Sequence, residues 1–185
     1  VSKPLLVLRQ IIGRLKARRL LKKLRGPYYL HVGCGPNRFP GWLHLDGNWF
    51  LPGLDICWDL RWGLPFPDSS LELIYSEHVL EHLTVADGVQ YLRECFRVLK
   101  PGGVVRTAMP SLEAVVGSYV AKDWKAEQDW LTWPEYQFIA TRAEMLNISM
   151  RWWNHQWLYD REELHRRHRE AGFAQIDDVR WGEST

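Results

Sequence analysis

The chain has 185 residues, 25% of them charged, and a formal net charge of +2; this is enough chain for one domain with a substantial core, and the composition excludes a disordered or fibrous protein. No apolar run approaches the roughly 20 residues that span a bilayer, and Leu5 to Ile12, interrupted by Arg9 and Gln10, lacks the cleavage site of a secretory leader. Cys34, Cys57 and Cys95 show no C-x-x-C spacing and cannot all pair within one chain, so a reducing, cytoplasmic setting is expected, with the thiols as small core residues.

Residues 1–25 form the first unit. Leu5, Leu8, Ile12, Leu15, Leu20, Leu21 and Leu24 recur at three- and four-residue spacing among lysines and arginines, which predicts an amphipathic helix over 5–24, closed by Gly26-Pro27. No Asp or Glu precedes Asp46, whereas Lys3, Arg9, Arg14, Lys16, Arg18, Arg19, Lys22, Lys23, Arg25 and Arg38 do. Such a helix either packs its leucine face on the domain with its charges solvated, or lies on anionic lipid or another phosphate-rich partner.

Residues 26–185 form the second unit. Tyr28 to Val32 reads as a buried strand that stops at the glycine turn Gly33-Cys34-Gly35, and a second short strand, 42–46, ends in Asp46. Glycine at such a turn lets the backbone bend sharply and a ligand approach closely. A carboxylate at the next strand end offers two acceptor oxygens to a ribose diol. Further strands are expected at 54–59, 71–76 and 104–109, and helices at about 86–99, 111–121, 134–146 and 160–171. Val89, Leu92, Phe96 and Leu99 are the expected buried face of the first of these helices. The last has Asp160 and Glu163 as a capping box and Gly172 as its stop. Phe173 to Trp181 is a final strand candidate. This alternation predicts an α/β fold, an open, mostly parallel sheet with helices on both faces.

The series HVGCGPN, GWLHLD, DLRWGLPFPDSSLELIYSEHVLEHL and LRECFRVLKPGG resembles the class I S-adenosylmethionine-dependent methyltransferases, in particular their type 11 branch. The resemblance is tight over about 28–110 and looser over HQWLYDREELHRRHREAGF. It implies a Rossmann-like fold holding S-adenosylmethionine at the carboxyl ends of the first strands. By position, it implies that Gly33, Cys34 and Gly35 line the amino-acid portion of the donor, Asp46 takes the ribose, Asp59 and Leu60 meet the adenine, and Ser76, Glu77 and His78 border the methionine part. His31 stands where the family usually has an acidic residue anchoring the glycine loop, and Asn37 where it often has a third glycine. The family's closing antiparallel hairpin has one candidate strand here, so the last strand is expected to be missing or the sheet short.

Methyl transfer from a sulfonium asks mainly for alignment, which can contribute roughly 7–11 kcal/mol, so the resemblance brings no obligatory catalytic residue. A hydroxyl or amine acceptor would gain from a base, for which His78 and His155 are the candidates. The acceptor is expected to be a small molecule methylated on oxygen or nitrogen. Nucleic acid is not expected, because the cations cluster in one helix. The aromatic stretch within 111–159 is read either as an apolar acceptor wall or lid, or as a homodimer interface.

Three rival readings are weighed. HVLEH at 78–82 matches the H-x-x-E-H of a zinc-protease class, but it starts at a strand end inside the methyltransferase pattern, so no metal is expected. A nicotinamide dehydrogenase would need G-x-G-x-x-G opening into a helix and an acid about 20 residues on; Pro36, Arg38 and the early Asp46 disagree. A catalytically silent methyltransferase-like binding module is the third.

Overall fold

In the computed structural model, which describes residues 3–24, 26–180, 182 and 183, five strands form one wholly parallel sheet in the order β3-β2-β1-β4-β5. The strands are β1 (Tyr29–Val32), β2 (Leu43–Asp46), β3 (Ile56–Cys57), β4 (Leu71–Glu77) and β5 (Leu99–Ala108). The helices are α1 (Lys3–Lys23), α2 (Val85–Val98), α3 (Leu112–Val120), α4 (Arg142–Arg151) and α5 (Arg161–Ala171), joined by short 3-10 turns. Among the described residues no helix is long and apolar enough to cross a membrane.

The central strands are buried because their runs are largely apolar, as parallel strands covered on both faces require. Leu30, Val32, Leu43, Leu45, Ile56, Leu71 and Ile74 form one core with Leu80, Leu92 and Val98. His44 is buried among them at low cost because it is satisfied: Nε2 accepts from the Phe39 N–H at 2.9 Å, and Nδ1 lies 3.3 Å from Asp55. No helix intervenes between β1 and β2 or between β2 and β3; both crossovers are loops. The chain first steps outward from β1 to β3, then returns to place β4 on the other side of β1. Such a reversal opens a crevice at the carboxyl ends of β1 and β4.

Four expectations are corrected. In α1 the face on the domain is Gly13, Ala17, Leu20 and Leu21, with Gly13 against the Trp58 ring, while Leu8, Ile12 and Leu15 are exposed. Glycine and alanine let the helix axis come close, so the larger side chains face outward; the side chain of Leu5 lies outside the described residues. In α2 the buried face is Gly88, Val89, Tyr91, Leu92, Cys95 and Val98, and Phe96 sits at its margin against Phe173. The helix expected at 134–146 is instead a 3-10 turn at Pro134–Tyr136 followed by α4, which starts at a capping box of Thr141 and Glu144. Finally, 173–180 is irregular, so β5 is an edge with no sixth strand among the described residues, and Trp181 lies outside them.

The cysteines form no disulfide; Cys34 and Cys95 are buried as expected, but Cys57 is exposed on β3. At the start of β5, Lys100 to Gly103 bulge out, so that Leu71 pairs Leu99 and Leu73 pairs Val104. The aromatic segment builds a second core of its own, Val115, Leu131, Ile139, Met145 and Ile148, with Trp124, Trp130 and Tyr136 packed on it. This cap rejoins the sheet domain where Leu112 N–H donates to the Tyr159 carbonyl and Gln156 N–H to the Glu81 carbonyl, at 2.9 and 2.7 Å.

Candidate active site

The glycine turn after β1 is held by backbone bonds to the end of β2: Gly33 and Cys34 N–H both donate to the Leu45 carbonyl. Gly33 and Gly35 have φ of +62° and +51°, a left-handed conformation that costs a residue with a Cβ roughly 1–2 kcal/mol. Their surroundings differ. A Cβ on Gly33 would lie 2.3 Å from Val79 Cγ2, whereas beside Gly35 there is open space. The Gly35 N–H donates to Asp46 Oδ2 at 2.9 Å, and the Asn48 N–H to Oδ1 at 2.8 Å. The carboxylate is thereby held facing the turn, and each oxygen keeps acceptor capacity.

Sequence reasoning missed Arg38 as an organiser of this turn. Its guanidinium donates to the carbonyls of Gly35, Asn37, Pro52 and Gly53 and lies 3.3 Å from the Cys34 sulfur. One planar fork thus ties the glycine loop to the loop after β2, which only arginine's fixed donor geometry allows. The available signal was a lone cation three residues after the turn in an acid-free stretch. The Cys34 side chain itself is buried, and burial pushes its thiol up.

The remaining expected residues fall into two groups. His31 is buried, stacked on Phe39 at 4.6 Å and near Tyr75 and His44, with Nδ1 unbonded; burial lowers its pKa. Ser76 is also wholly buried, backbone and side chain alike. Asp59 caps the 3-10 turn Leu60–Trp62 and is paired with the Arg61 guanidinium, which holds its carboxyl below the usual range. Leu60 packs against the core. Glu77, exposed at the end of β4, accepts from the Tyr75 hydroxyl at 2.9 Å.

His78 and His155, 77 residues apart in sequence, come together around one carboxylate. His78 follows β4 with φ +52°, and its Nδ1 lies 2.9 Å from Glu81 Oε1, a bond that raises the histidine's pKa. The His155 ring packs edge-on to that of His82 at 5.0 Å between centroids, and its Nδ1 lies 2.8 Å from the Ser149 carbonyl. The reversal that brings His155 back runs through Trp153 and Asn154, both with positive φ. Around it lie the exposed rings of Trp152, Trp153 and Trp157.

A cavity of about 660 Å³ lies elsewhere, between α1, the segment 61–68 and α2. Arg97 spans it, bonded to the Leu64 and Phe66 carbonyls and to Glu94. It is solvent-wide and away from the strand ends, so the crevice at the glycine turn remains the candidate site.

A parallel sheet in the order 3-2-1-4-5, with bare backbone after β1 and an acid closing β2, defines an α/β domain built to hold a nucleoside-bearing ligand at its switch point. Residues 30–107 match the sequence model of a family described as "Methyltransferase domain", in keeping with the resemblance of the motifs in this part of the chain to the class I S-adenosylmethionine-dependent methyltransferases. A Mycolicibacterium smegmatis protein named "Probable S-adenosylmethionine-dependent methyltransferase" is 44% identical over 57 residues, covering 29% of this chain and 21% of that protein. A demethylmenaquinone methyltransferase of Listeria monocytogenes is 35% identical over 101 residues, covering 44% of this chain and 41% of its own length. The chain therefore spans less than half the length of these relatives. In fold, it superposes on the crystal structure of a SAM-dependent methyltransferase from Archaeoglobus fulgidus with a TM-score of 0.53 at 17% identity, over 89% of this chain and 69% of that one.

Proposed function

We propose that the chain transfers a methyl group from S-adenosylmethionine to an oxygen or nitrogen atom of a small-molecule acceptor, with residues 26–185 acting as one methyltransferase unit. One observation carries this reading: Asp46 reaches across to the Gly35 N–H beside open space, so backbone, acid and room for a ligand converge at the switch point. The Asp46 carboxylate would accept the ribose hydroxyls, and Gly33 to Gly35 would border the amino-acid end. Asp59 would meet the adenine only by sharing its oxygens with Arg61, and the buried Cys34 and Ser76 would support the site from behind. His31 would support the turn through Phe39 and make no contact with the donor.

The residues act chiefly by holding nucleophile, methyl carbon and sulfur in line. The methyl passes to the acceptor's lone pair, the sulfonium takes back the bonding electrons, and the acceptor's proton leaves to a base. The exposed rings of the cap favour an acceptor with an apolar body, in keeping with the quinone precursor named for the Listeria relative.

Calorimetric titration with S-adenosylhomocysteine tests the reading. The native chain should bind it, and Asp46→Ala should bind roughly 10- to 100-fold more weakly, because charge-assisted hydrogen bonds contribute about 1.5–3 kcal/mol. Absence of binding by the native chain would favour a silent binding module, and unchanged affinity in the variant would mean that the carboxylate does not face the ribose.

A further inference from the structure

Glu81 is the one acidic side chain in the buried set of the described residues, with 0% of its surface exposed. One oxygen is satisfied, Oε1 by His78 Nδ1 at 2.9 Å. The other, Oε2, is buried and accepts no hydrogen bond from any described group. A buried polar oxygen without a partner carries a desolvation cost that a cation meeting it would offset.

Two imidazoles stand beside it. One donor atom each from Glu81, His82 and His155 lies within 4.8 Å of the others. The second nitrogen of His155 is already committed, since Nδ1 faces the Ser149 carbonyl at 2.8 Å, leaving Nε2 with a free lone pair. That is how proteins orient an imidazole for a metal, the far N–H held by a backbone carbonyl. The Glu81 backbone joins the two sides, because its carbonyl accepts from Gln156 N–H at 2.7 Å and Trp157 N–H at 3.3 Å.

We infer that Glu81, His82 and His155 form a binding site for a divalent ion of the zinc class, with one carboxylate oxygen and two imidazole nitrogens as protein ligands. Ligand bonds of about 2.0–2.2 Å require the donors to draw closer than they stand, which the two half-exposed imidazoles can do by rotating about a fixed, buried carboxylate. Three protein ligands leave a fourth position open, the pattern of reactive and not of purely structural zinc sites. The expectation of no metal rested on the position of HVLEH in the chain. Here His78 holds Glu81 through Nδ1 and stays outside the ligand set, which leaves it as the base when an ion occupies His155 Nε2, and the third ligand comes from 73 residues beyond His82, where no local motif could announce it. Where that open position receives the acceptor's oxygen or nitrogen, the inference rests on the methyl-transfer reading; the ion site itself does not.

The test uses the full chain without a histidine tag, stripped with chelator and titrated with Co²⁺ followed by absorption, and with Zn²⁺ by calorimetry. The expected result is about one equivalent bound, with the intense visible bands of low-coordinate cobalt and a higher melting temperature in its presence, since a ligand that binds only the folded state stabilises it. His82→Gln and His155→Gln should each lower the affinity at least tenfold, by analogy with losses in other metal sites. Both positions are partly exposed, so these variants should fold, as far-UV circular dichroism will show. Binding well below one equivalent, or affinity unchanged in both histidine variants, overturns the site. Titration with S-adenosylhomocysteine on the same samples keeps the two readings apart, because loss of the ion should leave donor binding intact.

Discussion

The crevice at the carboxyl ends of the inner strands is made of backbone and one acid, whereas the cap over 111–157 is made of side chains around a five-residue core. In the first, Gly33 and Gly35 adopt a conformation that side chains resist, and their positions are set by bonds to Leu45 and Asp46 on the neighbouring strand. In the second, Trp130, Tyr136, Trp152 and Trp153 meet edge to face at centroid distances of 5.2–6.2 Å, and several rings remain exposed. Under the proposed function, the first arrangement would meet the invariant donor, and the second, which can vary ring by ring without disturbing the sheet, would suit the selection of the acceptor.

If the two regions are this independent, their substitutions should separate. The largest effect is expected from Ile139→Ala, which empties a fully buried position in the cap core and should cost about 2–5 kcal/mol. The near-ultraviolet signal of the cap tryptophans should weaken while affinity for S-adenosylhomocysteine stays within about twofold; a parallel loss of donor affinity would show that the regions form one cooperative unit. Gly33→Ala should destabilise the sheet domain by about 2–4 kcal/mol, combining left-handed strain with the clash on Val79, measured by denaturant unfolding. Gly35→Ala should cost only about 1–2 kcal/mol of stability, because space is open there, yet reduce donor affinity. Equal donor affinity in Gly35→Ala would move the ligand away from the turn.

The smallest effect is one of pH. His168 is 7% exposed on α5, and burial holds its pKa below the usual 6.5 despite the Leu164 carbonyl at 2.8 Å. The unfolded chain therefore takes up this proton first as pH falls. Stability from this residue is complete above about pH 6.5 and declines as pH drops through that value toward the folded-state pKa. His31 adds in the same direction. Thermal unfolding between pH 7.5 and 5 should show the decline, and His168→Gln should make it shallower.

Arg38 and the helix at α4 mark where reading the sequence was insufficient. The inner strands β1, β2 and β4 lay where mainly apolar runs ended at glycine or an acid, because a parallel strand covered on both faces leaves a largely apolar record, whereas β5 starts at Leu99, ahead of the expected 104. The Thr141-x-x-Glu144 capping box was equally legible, but the apolar and aromatic pattern starting at Pro134 obscured it. The inward face of α1 could not be read from leucine spacing, since close packing favoured the small Gly13 and Ala17 over the larger side chains.

The local alternation of apolar runs, turns and one acid determined the parallel sheet, the glycine turn and Asp46, because each depends on residues within a few positions of one another. Only the tertiary structure decided that Glu81 is buried with a bare oxygen and that His155 returns to meet His82, because burial and convergence arise when a distant cap folds back on the strand ends.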